Sequence, residues 1–79
     1  MELDLHRLSI EEALRELELF LNRAYIQGQL RVRIVHGKGT GALRTAVQAA
    51  LAEHPLVESH RYADYGEGDY GVTIVELVR

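Results

Sequence analysis

Residues 30–44 read Leu30-Arg31-Val32-Arg33-Ile34-Val35-His36-Gly37-Lys38-Gly39-Thr40-Gly41-Ala42-Leu43-Arg44. Alternation through Leu30–His36 predicts a strand, with Leu30, Val32 and Ile34 on one face and Arg31, Arg33 and Val35 on the other. Ala42, Leu43, Ala46, Val47, Ala50 and Leu51 then share one side of a helix that Pro55 stops. Glycines at 37, 39 and 41 between them permit positive φ and leave the backbone N–H groups unobstructed. A strand, a glycine-rich turn and a helix in that order put orphan N–H donors and the positive end of the helix dipole at the turn. Lys38 adds a mobile cation, Thr40 a hydroxyl that can cap the helix or touch a phosphate, and Arg44 a second cation one turn in. Gly37, Lys38, Gly39, Thr40, Gly41 and Arg44 are therefore candidate phosphate-binding residues. The run is not a Walker A loop, since G-x-x-x-x-G-K-S/T is absent. Nor is it a dinucleotide fingerprint, because the third glycine falls one residue early and no acid closes a second strand ~20 residues on.

Upstream, Glu2–His6 alternates, with Leu3 and Leu5 on one face and Asp4 and His6 on the other, which predicts a short strand. Ser9 stands three residues before Glu12, a capping-box pattern. Apolar residues at 10, 13, 14, 17, 20, 21 and 24 trace one helix face, and Gly28 is placed to end that helix. Downstream, Val57–Asp64 is rich in strand formers but mixed in polarity, the pattern of a sheet-edge strand. Residues 65–71 form a loop and Val72–Val78 a buried strand. The order β-α-β-α-β-β gives right-handed parallel crossovers and a final hairpin. The expected fold is an α/β two-layer sandwich, a four-stranded mixed sheet with two helices on one face, in a single domain spanning residues 1–79.

Composition narrows the function classes. There is no Cys, so disulfides and thiolate zinc sites are excluded. No apolar run approaches the ~20 residues that a membrane span needs. The acidic start Met1-Glu2-Leu3-Asp4 does not read as a secretory signal, so a cytoplasmic location is expected. Net charge is −3, which argues against indiscriminate nucleic-acid binding. Residues 31–44 nonetheless hold Arg31, Arg33, Lys38 and Arg44 with no acid, whereas residues 11–18 hold four acids and one base. That segregation predicts one anion-facing surface.

Asp4 and His6 form a second constellation. Such a pair can bind a divalent cation through oxygen and nitrogen or act in proton transfer. Parallel pairing of the first two strands would bring His6 beside His36 and the glycine turn, at the strand ends where ligands bind in such sheets. Tyr62, Tyr65 and Tyr70 flank the last loop, which reads either as a plain hairpin connection or as a flap, with aromatics able to stack on unpaired bases. His54, before Pro55, reads as a helix-terminus residue, and of His60 and Arg61 only one can face the site. Ser9 is a cap and Ser59 has no activating context, so no nucleophilic triad is supported.

With LDLH at 3–6, EEAL at 11–14, VRIVHGKGTGALR at 32–44, HP at 54–55 and GVTIVEL at 71–77, the chain resembles the small MutS-related (Smr) domain along nearly its full length. The version with HGKGTGALR and GVTIVEL is most similar to the C-terminal domain of bacterial MutS paralogues that suppress recombination. The resemblance implies a two-layer sandwich like the C-terminal domain of a translation initiation factor. It also implies an endonuclease that nicks DNA, such as branched or recombination intermediates, or single strands, with Mg²⁺ or Mn²⁺ as expected cofactor. The alternative it implies is a non-catalytic module engaging branched DNA or ribosomal RNA, and so the ribosome, for a parent chain with covalently linked ATPase domains. Carried over, Asp4, His6 and His36 are the candidate catalytic residues, Asp4 also the candidate metal ligand, and Gly37, Lys38 and Gly39 the phosphate loop. Two departures stand out. Arg7 replaces the glycine common after LDLH, adding a cation at the mouth of the site, and Asp69 and Tyr70 intervene before GVT, where Asp69 could repel phosphate or bind metal.

Overall fold

Ser9 accepts the Glu12 N–H at 3.1 Å while the Glu12 carboxylate accepts the Ser9 N–H at 3.0 Å, so the capping box starts the first helix where the sequence places it. The computed structural model describes residues 1–66 and 69–79. Its elements are β1 (Glu2–Asp4), α1 (Ile10–Ile26), β2 (Arg31–Val35), α2 (Ala42–Glu53), β3 (Val57–Tyr62), a 3₁₀ turn (Asp69–Gly71) and β4 (Val72–Leu77). Gly28, at φ 76°, reverses the chain after α1. The sheet order is β1-β2-β4-β3, with β1 and β2 parallel and β4 antiparallel to both of its neighbours. β3 therefore lies at an edge, as its mixed polarity predicts.

Val32 and Ile34 of β2 and Val75 and Leu77 of β4 pack with Ala13, Leu17 and Leu21 of α1 and Val47 and Leu51 of α2. Both helices thus cover the same sheet face. Every one of these side chains is nearly inaccessible, and burying each contributes about 1.5–3 kcal/mol for the larger aliphatics. On the other face Val35, Val72, Ile74 and Ala63 form a small second cluster. Ile74 is buried there without a helix above it. Its register neighbours are Arg33 on β2 and Arg61 on β3, whose long stems can cover apolar surface while their charged heads stay in water.

Three expectations need correction. β1 ends at Asp4, not His6: the His6 N–H goes to the Asp4 carboxylate at 3.0 Å and the Leu8 N–H returns to the Leu5 carbonyl at 3.2 Å, which turns the chain. Leu30 lies outside β2 and is half exposed. The basic segment does not form one surface. Arg31 pairs with Glu76 at 2.6 Å and Arg33 with Glu2 at 2.9 Å on the helix-free sheet face, because alternation sends odd positions of β2 away from the helices. Only Lys38 and Arg44 accompany the turn. Within the last loop, Glu67 and Gly68, part of the flap reading, lie outside the described residues. Among the described residues no helix is long and apolar enough to cross a membrane.

Candidate phosphodiester-binding and proton-transfer site

Parallel pairing sets the C-terminal ends of β1 and β2 side by side, with Asp4 opposite Val35 and the Leu5 N–H donating to the Val35 carbonyl at 2.7 Å. The residues that follow both strands then meet. A Cβ on Gly37 would sit 3.5 Å from the His6 Cβ. Between the two turns lies an open cavity of about 390 Å³, lined by His6, Arg7, Leu8, His36 and Gly37 through Gly41, with Leu43 and Arg44. Its size is that of a ligand site. Every predicted site residue lines it except Asp4, which stands behind His6; Leu8 and Leu43 are apolar wall residues that the sequence did not mark.

Asp4 grips His6 twice. One carboxylate oxygen accepts both the His6 backbone N–H and the ring Nδ1–H. The ring bond holds the Asp4 carboxyl below its ordinary range, so Asp4 is an anion and an obligate acceptor. Nδ1 must therefore carry the proton, leaving His6 Nε2 as the position that can take or give one. Both side chains are about half exposed. Arg7, next along, adopts φ 74°, the conformation for which glycine is the usual residue.

His36 is different. Its ring is nearly inaccessible and both nitrogens are engaged, Nδ1 with the Gly37 carbonyl at 3.0 Å and Nε2 with the Thr73 hydroxyl at 2.7 Å. Burial pushes its pKa below the ordinary histidine value; the Gly37 bond opposes that and Arg44 adds to it. Tyr62 packs edge-on against the ring, centroids 6.3 Å apart. Thr73 also accepts from Gln48 Nε2 at 2.6 Å, and the Gln48 carbonyl accepts from His60 Nδ1 at 3.0 Å. Thr73, Gln48 and His60 were not marked as site residues by the sequence. A lone polar residue on the inward face of β4, among Val75 and Leu77, was the available signal.

The glycine turn rests on the 3₁₀ turn that precedes β4. The Gly71 carbonyl accepts both the His36 and Gly37 N–H groups, at 3.1 and 2.9 Å. The Gly37 N–H is thus unavailable to an anion, which corrects the expectation that Gly37 binds phosphate through its amide. Among the described residues the N–H groups of Lys38, Gly39 and Thr40 donate to no protein acceptor, while Gly41 closes the turn through Gly39 and Thr40. Arg44 folds back over Gly41 and its Nη1 donates to the Lys38 carbonyl at 3.3 Å. Gly41, at φ 91°, is the α2 N-cap and offers no side-chain cap, and the first turn of α2 carries no acid. The nearest substitute is the Thr40 hydroxyl, a long 3.4 Å from the Ala42 N–H. A helix N-terminus capped only by this long bond, beside turn amides that lack protein acceptors, is a place for an anion. Lys38 reaches Asp69 at 3.5 Å and lies 4.8 Å above the Tyr70 ring, with Arg44 at 5.1 Å from the same ring. Asp69 therefore pairs with the turn cation.

A divalent ion held by protein side chains alone does not fit. Among the described residues no three His, Asp or Glu side chains converge to hold one, and the Asp4 oxygen that faces His6 is already used twice. His54, at the end of α2, takes the Leu56 N–H at 3.1 Å on Nδ1 and faces Glu18 of α1 through Nε2 at 2.6 Å, away from the cavity.

A family model described as the Smr domain matches residues 3–78. The chain is 51% identical over 76 residues to the endonuclease MutS2 of Pelotomaculum thermopropionicum, and 52% identical over 77 residues to that of Geobacillus kaustophilus. These alignments cover 96% and 98% of this chain but 10% of each relative, so it spans about a tenth of their length. Its structure matches the crystal structure of the Smr domain of Thermus thermophilus MutS2 with a TM-score of 0.97 and 46% identity, over 99% of this chain and 98% of that one. It also matches YdaL, a stand-alone small MutS-related protein from Escherichia coli, with a TM-score of 0.90 and 29% identity, over 99% of this chain and 64% of that one.

Proposed function

The chain belongs to the Smr domain family, and from that membership we propose that it is a nucleic-acid endonuclease domain that nicks DNA, with His6 as its proton-transfer residue. The observation that carries this reading is the Asp4–His6 pair, fixed in one tautomer, with His6 at the wall of a cavity whose other side is the weakly capped start of α2. The scissile phosphate sits on the amides of Lys38, Gly39 and Thr40. Lys38, Arg44 and Arg7 surround it. His6 Nε2 takes a proton from the attacking water as the new P–O bond forms, and the leaving oxygen departs with a proton from solvent. Donors aimed at the charge that develops on phosphorus-bound oxygens are the largest lever available here, worth roughly 10²–10³-fold each in rate. His36 serves in this scheme as a buried positioning residue, since neither ring nitrogen is free. No step passes through a metal ion.

Named relatives are endonucleases of about ten times this length. We propose accordingly that the domain works inside a parent protein with ATPase domains, delivered by it to branched DNA or ribosomal RNA. The rival reading, a module that binds these targets without cutting them, needs Lys38, Arg44 and Arg7 but not the Asp4–His6 pair. A supercoiled-plasmid nicking assay with a parallel binding measurement separates the two. The proposal expects His6→Ala to abolish nicking with binding nearly intact and Lys38→Ala to weaken binding. Cleavage that survives in His6→Ala refutes the assignment.

A further inference from the structure

We propose that Thr73 and Gln48, neither of which lines the cavity, are positioning residues for the phosphate-binding turn: they hold the buried His36 ring in one protonation state, and the ring holds the Gly37–Lys38 peptide so that the Lys38 N–H faces an incoming phosphate. The inference rests on the phosphate-binding reading of that turn.

The chain of bonds can run in only one direction. A backbone carbonyl accepts and never donates, so the 3.0 Å contact with Gly37 requires the proton on His36 Nδ1. The ring is neutral in its buried setting, so Nε2 is a lone pair and must accept. Its partner is the Thr73 hydroxyl at 2.7 Å, which spends its one proton there. Thr73 can then only accept from Gln48, whose Nε2 lies at 2.6 Å. The Gln48 carbonyl in turn accepts from His60 Nδ1 at 3.0 Å. Among the described residues no buried side-chain nitrogen or oxygen is left without a partner. Four bonds from β3 through α2 and β4 thus end on one carbonyl of the turn, and the carbonyl sets the sense of all of them.

That carbonyl matters because of peptide geometry. In a trans peptide the C=O and the following N–H point opposite ways, and the described chain has no cis bond. Tying the Gly37 carbonyl to the His36 ring turns the Lys38 N–H away from the ring, and this N–H has no protein acceptor among the described residues. Glycine at 37, with φ 77°, gives this peptide plane little steric resistance to rotation. Rotated, it would present a carbonyl oxygen to phosphate in place of a donor. Arg44 treats the next peptide in the same way, since its hold on the Lys38 carbonyl leaves the Gly39 N–H on the opposite side.

The test uses the 79-residue chain and two independent readouts. Two-bond ¹H–¹⁵N correlation of the histidine rings reports which His36 nitrogen is protonated. In the wild type it should show Nδ1 protonated and Nε2 bare near neutral pH. Gln48→Glu, ionised, places a pure acceptor beside Thr73, which draws the Thr73 proton toward α2; His36 Nε2 then takes a proton from solvent and donates to Thr73, the ring becoming a cation while Nδ1 stays bonded to the Gly37 carbonyl. The expected result is a proton on Nε2. A bare Nε2 in this variant overturns the proposal, since a side chain that merely fills space would leave His36 protonation unmoved. The second readout is affinity for a short single-stranded DNA oligonucleotide. Thr73→Val should weaken it roughly tenfold, the scale of one lost charge-assisted hydrogen bond, and Thr73→Ser should restore it. A folded Thr73→Val that binds as the wild type does also overturns the proposal; if that variant does not fold, the Gln48→Glu spectrum decides. Cleavage is not a readout, so a wild type that binds without cutting would sink the nuclease reading and leave this test standing.

Discussion

The Asp4 carboxylate accepts the backbone N–H and the ring Nδ1–H of His6 through the same oxygen, so one side chain sets both the turn after β1 and the tautomer of the ring it presents. Asp4→Asn keeps size and removes the charge. Its amide oxygen can still accept the His6 N–H but has no charge to hold the proton on Nδ1, which loosens the tautomer. Nicking should fall by about 10²–10⁴-fold, the usual range for losing a positioned acid–base pair, while DNA affinity stays nearly constant. Single-turnover nicking with a parallel binding titration measures both. Unchanged nicking in Asp4→Asn would remove Asp4 from the mechanism.

Arg7 separates stability from binding. It occupies a left-handed conformation at φ 74°, where a residue with a Cβ carries about 1–2 kcal/mol of strain. Arg7→Gly should therefore stabilise the fold, and in a domain this small each kcal/mol raises Tm by about 4–8 °C. The same change removes a cation from the cavity wall. Affinity for DNA should drop and the slope of log K against log salt should flatten by about one unit. A variant that gains stability and keeps both affinity and slope would show that Arg7 does not touch phosphate.

Much of this was legible in the residues. The capping box, the alternation of Arg31–Val35 and the glycine spacing each encode a local preference, and local preferences survive folding. The proximity of His6 to Gly37 was also legible, because strand–helix–strand chirality leaves one way to pair β1 with β2. What sequence could not supply was pairing across the sheet. Arg31 and Arg33 look like part of a basic patch until Glu76 and Glu2 meet them from β4 and β1. His36 looks like a free acid–base group until Thr73, far along the chain, occupies its second nitrogen. Thr73 itself looks like a strand former. These are long-range contacts between residues whose types are ordinary for their elements, so only the tertiary fold reveals them.

On the proposed function, Asp69 competes with substrate for Lys38. The two side chains lie 3.5 Å apart and both are about half exposed, so the pair contributes little to stability, about 0–1 kcal/mol. Asp69 also has φ 57°, a conformation asparagine adopts readily. Asp69→Asn should leave Tm nearly unchanged and raise affinity for DNA by a few-fold, most clearly at low salt where screening is weak. Equal affinity at every salt concentration would mean that Lys38 does not meet phosphate.

Gly41 and Gly39 differ in why glycine stands there. A Cβ on Gly41, at φ 91°, would come within 2.8 Å of Arg44 Nη2, whereas a Cβ on Gly39, at φ 35°, would meet nothing within 4 Å. Both alanine variants carry left-handed strain of roughly 1–2 kcal/mol. Gly41→Ala must in addition push the guanidinium off the turn and free the Lys38 carbonyl from its donor. Chemical denaturation should show similar losses of stability, while DNA binding should suffer distinctly more in Gly41→Ala. Equal binding defects would argue that Arg44 does not organise the turn.

Buried, neutral His36 gives stability a pH dependence with a defined sign. Its folded pKa lies below the ordinary value because burial disfavours the cation. Between the folded value and the unfolded value of about 6.5, the unfolded chain binds a proton that the native chain refuses. Stability therefore rises with pH across that window and is lost as pH falls below about 6.5. Asp4, Glu12 and Glu18, whose pKa values are also lowered, act in a separate window. Their contributions are present above the ordinary carboxylate values, about 4, and disappear as pH falls through their folded values. Thermal unfolding followed from about pH 7 to pH 5 isolates the histidine window. His36→Gln keeps a polar side chain between Gly37 and Thr73 but cannot titrate, so it should flatten the slope in that interval and leave the more acidic limb intact. A slope unaltered by the substitution would place the titrating group elsewhere.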